Sequence, residues 1–180
     1  MRLQELYKKE VLPRLKEKFD IKNNLAVPKF EKVTINVSFG RHAKDKKYIE
    51  SVQKNLTNVT GQKPVLTKAK KAISAFKVRE GMTIGAMLNL RGKRMYNFIE
   101  KLVNIYFPRV RDFRGISEKS VDKQGNLTVG FRDVLAFSEI EVEDIENSHG
   151  LEISIITTTK NRKQGLELLR LMGFPFKKKE

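Results

Sequence analysis

Residues 32–39 read Lys-Val-Thr-Ile-Asn-Val-Ser-Phe, and this stretch decides the fold. Val33, Ile35, Val37 and Phe39 alternate with Lys32, Thr34, Asn36 and Ser38. Successive strand side chains point to opposite faces, so this period of two marks a half-buried strand. Further along, Ile84, Ala86, Leu88 and Leu90 alternate in the same way with Gly85, Met87, Asn89 and Arg91. Both strands carry an Asn on the outward face, and Asn is a poor strand former. Reading RNA would explain it, since amides bond bases, phosphates and 2′-hydroxyls. A plain wet sheet surface is the alternative.

Around these strands the period changes to that of helices. Leu3, Leu6, Tyr7, Val11, Leu15 and Phe19 share one helical face, which Pro13 is expected to kink or split. Asp45 suits the N-cap of a helix with the stripe Ile49, Val52, Leu56 and Val59, closed by Gly61. Residues 64–79 read as strand, loop and strand. Met95, Phe98, Ile99, Leu102 and Tyr106 mark a helix expected to stop before Pro108. Asp122 to Asn126 has turn chemistry, ahead of a short strand at Leu127, Val129 and Phe131. A strand over 151–158 precedes a helix carrying Leu166, Leu169 and Met172, stopped by Gly173 and Pro175. The pattern predicts an α+β two-layer sandwich, a mainly antiparallel sheet packed on amphipathic helices. One domain over 1–180 is expected, with no repeat and no linker.

Composition narrows the function. The 180 residues hold 37 Lys and Arg against 21 Asp and Glu, a net charge of +16. Residues 41–119 carry 19 basic and 6 acidic side chains, whereas residues 133–152 carry 7 acidic and no basic ones. Such a segregated basic field favours polyanions through counterion release. With no Cys, disulfides, thiol catalysis and zinc ribbons fall away. The longest uncharged run, residues 81–90, is half a membrane span, and no apolar leader is expected at the charged N-terminus. No phosphate-binding glycine loop occurs: Gly61-Gln62-Lys63 runs into Pro64. His42 and His149 lack metal-pair spacing; His42 is expected to meet solvent or phosphate and His149 to lie in a turn. The acids of the basic region stand singly. No catalysis, metal or cofactor is expected.

Binding signals are stronger. Between residues 62 and 79 lie Lys63, Lys68, Lys70, Lys71, Lys77 and Arg79 with no acid, and Ile73 and Phe76 among them. The alternative is a solvated basic hairpin. Arg109, Arg111 and Arg114 form a further basic loop.

In order along the chain stand Lys-Phe-Glu-Lys-Val-Thr-Ile-Asn (29–36), Thr-Gly-Gln-Lys-Pro-Val (60–65) and Thr-Lys-Ala-Lys-Lys-Ala-Ile-Ser-Ala-Phe-Lys-Val-Arg-Glu-Gly (67–81). Leu-Arg-Gly-Lys-Arg-Met-Tyr (90–96), Pro-Arg-Val-Arg-Asp-Phe-Arg-Gly (108–115) and Leu-Leu-Arg-Leu-Met-Gly-Phe-Pro-Phe (168–176) follow. Together they resemble the bacterial large-subunit ribosomal protein L-five family over essentially the whole chain.

The resemblance implies a cytoplasmic ribosomal protein of the central protuberance that holds 5S rRNA, in the company of 23S rRNA and other 5S-binding large-subunit proteins. Its motifs imply 5S contacts at Lys32, Asn36, Gln62 and Asn89, to which the basic pattern adds Lys63, Lys68 and Arg91. The hairpin residues Lys70, Lys71, Ser74, Phe76, Lys77 and Arg79 are expected at peptidyl-site tRNA. The acidic residues Glu141, Glu143, Asp144 and Glu146 are expected to meet small-subunit protein S-thirteen in a bridge, with a merely solvated connection as the alternative. Two positions depart from the family, which usually has Thr at the place of Asn89 and Gly at that of Ser38. The rival function is an architectural protein that coats nucleic acid without sequence preference.

Overall fold

Helix α1 (Leu3–Leu6), a π-helical turn (Tyr7–Val11) and α2 (Leu12–Lys18) make one helical run in the computed structural model, which describes residues 3–140 and 149–177. Strand β1 (Phe30–Ser38) follows, alternating between buried and open positions from Lys32 onward. The Asp45 carboxylate caps α3 (Lys46–Thr60), accepting from the Lys47 and Tyr48 amides at 3.0 and 3.3 Å. Gly61 closes that helix at φ 69°, a left-handed conformation that favours glycine. Strands β2 (Val65–Lys68) and β3 (Thr83–Leu90) pair antiparallel. Then come α4 (Gly92–Lys101), a π-helical turn (Leu102–Tyr106), α5 (Phe107–Arg109), β4 (Leu127–Phe131), β5 (Leu151–Thr157) and α6 (Arg162–Leu171). Hydrogen bonding orders the strands β2-β3-β1-β5-β4, with β1 in the middle. The fold is α+β in two layers, as the alternating strands and amphipathic helices predict.

Three local expectations change. Pro13 does not split the first helix: the Leu12 N–H reaches back to the Tyr7 carbonyl, and this wider turn absorbs the proline that follows. Pro108 does not stop its helix either. The Phe107 N–H bonds the Leu102 carbonyl across a second π-helical turn, and α5 carries the proline through to Arg109. In the hairpin, the expected second strand before residue 79 is reduced to one bridge, Ile73 with Val78. Lys77 at φ 53° and Gly81 at φ 77° interrupt the extended backbone, so regular pairing begins at Thr83.

The chain forms two compact units. The first comprises Met1–Val33, Leu90–Val129 and Ser154–Glu180. Its core gathers Leu15, Val33, Leu90, Ile99, Leu102, Tyr106, Leu127 and Leu168. An aromatic chain runs through it: Phe30 lies 6.2 Å from both Tyr96 and Phe174, and Phe107 lies 6.2 Å from Phe174. The Asp122 turn is built as its sequence predicts, its carboxylate accepting from the Gln124 and Asn126 amides at 2.9 and 2.8 Å. Desolvation works to raise this carboxyl, but bonds from Asn126, Gln124 and Gly125 hold it below its ordinary value.

The second unit comprises Thr34–Asn89 and Gly130–Ile153. Ile35 and Val37 of β1, Val52, Leu56 and Val59 of α3, and Ala86 and Leu88 of β3 are buried there with Val134 and Phe137. Burying Ile35 against this helix contributes about 1.5–3 kcal/mol. Gly85 lets β3 come close to β1, since a Cβ there would stand 2.7 Å from the Val37 carbonyl oxygen. His42 is exposed, as expected, and stacks on Tyr48 at 4.5 Å. His149 is buried beside the same ring. Among the described residues no helix is long and apolar enough to cross a membrane, and no three potential metal ligands gather.

Candidate nucleic-acid interface

Alternation along β1 and β3 dictates which side chains reach solvent. In the second unit Asn36 and Asn89 are exposed while Ile35, Val37 and Leu88 are buried. The Thr34 hydroxyl donates to Asn89 Oδ1 at 2.6 Å, which fixes the amide and directs its two N–H donors away from that bond. The Gln62 side chain donates from Nε2 to the Asn89 carbonyl at 3.3 Å. Gln62 is itself placed by the end of α3: its N–H bonds the Thr60 hydroxyl at 3.2 Å, and that hydroxyl donates to the Leu56 carbonyl at 2.6 Å. The predicted residues Gln62 and Asn89 thus stand on a single framework with Thr34, and Asn36 is exposed on the same unit. The sequence reading leaves Thr34 out of the site, although its place in the alternation puts it on the same face as Asn36.

Lys63 and Lys68 are exposed in the same unit, at the entry and the far end of β2. Lys68 pairs with Thr83 in register, after an irregularity between Thr67 and Lys68. Beyond it the hairpin narrows. Ala69 donates to Met82 at 2.9 Å, and Ile73 and Val78 exchange bonds at 2.9 and 3.1 Å. A 3₁₀ turn, Ser74–Phe76, makes the tip. Lys70, Lys71, Ser74, Phe76, Lys77 and Arg79 are all open to solvent, with Phe76 at 76% and Ile73 at 47%.

In the first unit Lys32 is half-buried and Arg91 is exposed. Arg91 lies 3.6 Å from Glu31, a partner that the sequence does not announce. Both side chains are open to water, so the pair is worth little and competes weakly with a phosphate. Glu141, Glu143, Asp144 and Glu146 lie outside the described residues.

Such an arrangement supplies fixed neutral donors on one sheet face and exposed cations on a hairpin of the same unit. Comparison with known proteins shows the family. The family model described as Ribosomal protein L5 matches residues 23–79, and the model for the C-terminus of the same ribosomal family matches residues 83–176. A large ribosomal subunit protein uL5 of Halothermothrix orenii is 49% identical over 174 residues, 97% of each chain. Those of Helicobacter pylori and Carboxydothermus hydrogenoformans are each 48% identical, over 98% and 97% of this chain and 97% and 98% of their own. The chain therefore belongs to the uL5 family of ribosomal proteins, and is a structural, non-catalytic constituent of the large ribosomal subunit.

Proposed function

We propose that the chain binds 5S rRNA through the outward sheet face and attaches it in the central protuberance beside 23S rRNA and the other 5S-binding proteins. One observation carries this reading: Thr34 and Gln62 both bond Asn89, so a neutral amide is set in place on an exposed strand before any ligand arrives. Preset donors favour a ligand of fixed shape over any polyanion that offers charge alone. In this reading Asn36, Gln62, Lys63, Lys68 and Asn89 contact the 5S RNA, as do Lys32 and Arg91 of the first unit. The hairpin residues Lys70, Lys71, Ser74, Phe76, Lys77 and Arg79 reach peptidyl-site tRNA. Glu141, Glu143, Asp144 and Glu146 would repel phosphate and suit a basic protein, small-subunit protein S-thirteen.

The test is competition of labelled 5S rRNA against tRNA and a random RNA duplex at matched salt. The proposal expects 5S rRNA to be retained against both. Equal displacement by every competitor would mark a protein that coats nucleic acid without preference.

A further inference from the structure

Strand β3 carries one residue more than its neighbour β2 pairs. Val65, Leu66 and Thr67 stand opposite Met87, Ala86 and Gly85, but the next residue, Lys68, stands opposite Thr83. Ile84 is passed over, which makes it the extra residue of a β-bulge. On the other side of β3 it is held: its carbonyl accepts from the Phe39 N–H, just past the end of β1, at 2.9 Å. One edge of β3 is thus pinned at Ile84 while the other is let out by a residue. Gly85 lets the neighbours close in at the same place. A Cβ there would lie 2.7 Å from the Val37 carbonyl oxygen and 3.0 Å from Thr67 Oγ1. All of these residues belong to the second unit. A bulge bends its strand, adds twist and re-aims what lies beyond it.

What lies beyond it is the basic hairpin. Its two arms are bonded again directly after the bulge, where the Ala69 N–H donates to the Met82 carbonyl at 2.9 Å and the Gly81 N–H to the Ala69 carbonyl at 3.0 Å. The Ile73–Val78 bridge joins them once more below the tip. An arm tied at its base and below its tip carries a bend outward. From Lys68 to Ala75 it reaches at most ~23–25 Å, at about 3.3–3.6 Å per residue. A change of about 20° at the base, the ordinary twist between neighbouring strands, would carry such a tip by roughly 8 Å. That is well beyond hydrogen-bond reach.

We infer that Ile84 is a positioning residue, whose bulge sets the direction in which the hairpin tip leaves the sheet and hence the RNA group that the tip reaches. The direction stands on backbone geometry; its consequence rests on the proposed contact of the tip with peptidyl-site tRNA.

The chain has no Cys, so the full chain takes two spin labels cleanly, at Asn58→Cys on α3 and Ala75→Cys at the tip. Both positions are exposed. One variant inserts a Thr between Thr67 and Lys68, giving Ile84 a partner; a second deletes Ile84. Either restores pairing residue for residue and keeps every cation of the hairpin. Wild type and Ile84→Val, which keeps the bulge, should show the same narrow distribution of label distances. Both re-registered variants should show it shifted by about 5 Å or more. Subunits carrying them should hold peptidyl-site tRNA roughly tenfold or more weakly, while 5S affinity stays within about twofold of wild type. An unshifted distance in both variants, or a broad distribution in wild type, would overturn the inference. So would a shifted distance with undiminished tRNA binding, provided that subunits lose this tRNA when residues 70–82 are replaced by a short neutral turn. If that replacement costs no tRNA binding, the tRNA reading fails, and the label distance alone decides whether the bulge aims the hairpin.

Discussion

The outward sheet face and the hairpin tip both belong to the second unit, and both meet water, yet they are built in opposite ways. On the sheet face the groups are neutral and already bonded to one another: Thr34 to Asn89, and Gln62 to the Asn89 backbone. At the tip the groups are charged, and Lys70, Lys71, Lys77 and Arg79 stand open to solvent on a backbone joined by a single bridge. A fixed amide loses little entropy on binding, whereas each long cation gives up as much as ~2 kcal/mol of rotamer freedom. On the proposed function, the face discriminates between RNAs and the tip attracts and holds one. Selectivity and attraction then belong to different residues, and each is open to removal without the other.

The largest effect should come from salt. If roughly 6–10 phosphates are neutralised, affinity for 5S rRNA should fall ~10³–10⁵-fold between 50 and 200 mM salt. A nearly flat plot of log K against log salt would mean that the cations are not at the interface, and the comparison would fail.

Next comes a pair of neighbours on opposite faces. Ile35→Ala should cost about 2–5 kcal/mol of folding stability by urea titration, because Ile35 is buried beside Leu56 and Val59 of α3. Asn36→Ala, one residue along, should leave stability within roughly 0.5 kcal/mol of wild type. Unfolding of the Asn36 variant would invert the assignment of faces.

The amides come third. Asn36→Ala and Asn89→Ala should each weaken 5S binding by about 1–3 kcal/mol with the salt slope unchanged. Thr34→Val should cost about 0.5–1.5 kcal/mol, since it releases the Asn89 amide without removing it. Lys63→Ala should instead weaken every RNA alike. A Thr34 variant that binds as wild type would show that presetting the amide does not matter.

The smallest effect should follow the largest excision. Replacing residues 70–82 with a short neutral turn should leave 5S affinity within a few-fold, while binding of peptidyl-site tRNA to the assembled subunit is lost. A large loss of 5S binding would move the tip into the 5S interface and merge the two regions.

Much of this is legible in the sequence, for physical reasons. Period-two alternation places Asn36 and Asn89 outward because the opposite face must be buried. Asp45 and Gly61 announce the ends of α3 because each meets a backbone need that few residues can meet. What escapes depends on longer range or on backbone detail. A π-helical turn has no residue signature, so Pro13 reads as a kink or split and Pro108 as a stop, although the helical run continues through both. The α3 stripe names Ile49, Val52, Leu56 and Val59, while the structure buries Tyr48 and Asn55 as well and leaves Ile49 half-open. Thr34 and Asn89 are 55 residues apart, and nothing local forecasts the bond between them. The same holds for Glu31 and Arg91. Lys77 reads as a strand residue, and its left-handed backbone emerges only with the closed tip.

On the proposed function, selectivity resides in the preset amides and not in the charge. The ratio of affinities for 5S rRNA and a random RNA duplex, measured at one salt concentration for wild type and for the Asn36→Ala/Asn89→Ala double variant, tests it most directly. The double variant should bind the duplex as wild type does and lose most of its preference for 5S rRNA, with an unchanged melting curve. A double variant that keeps the wild-type ratio would contradict it.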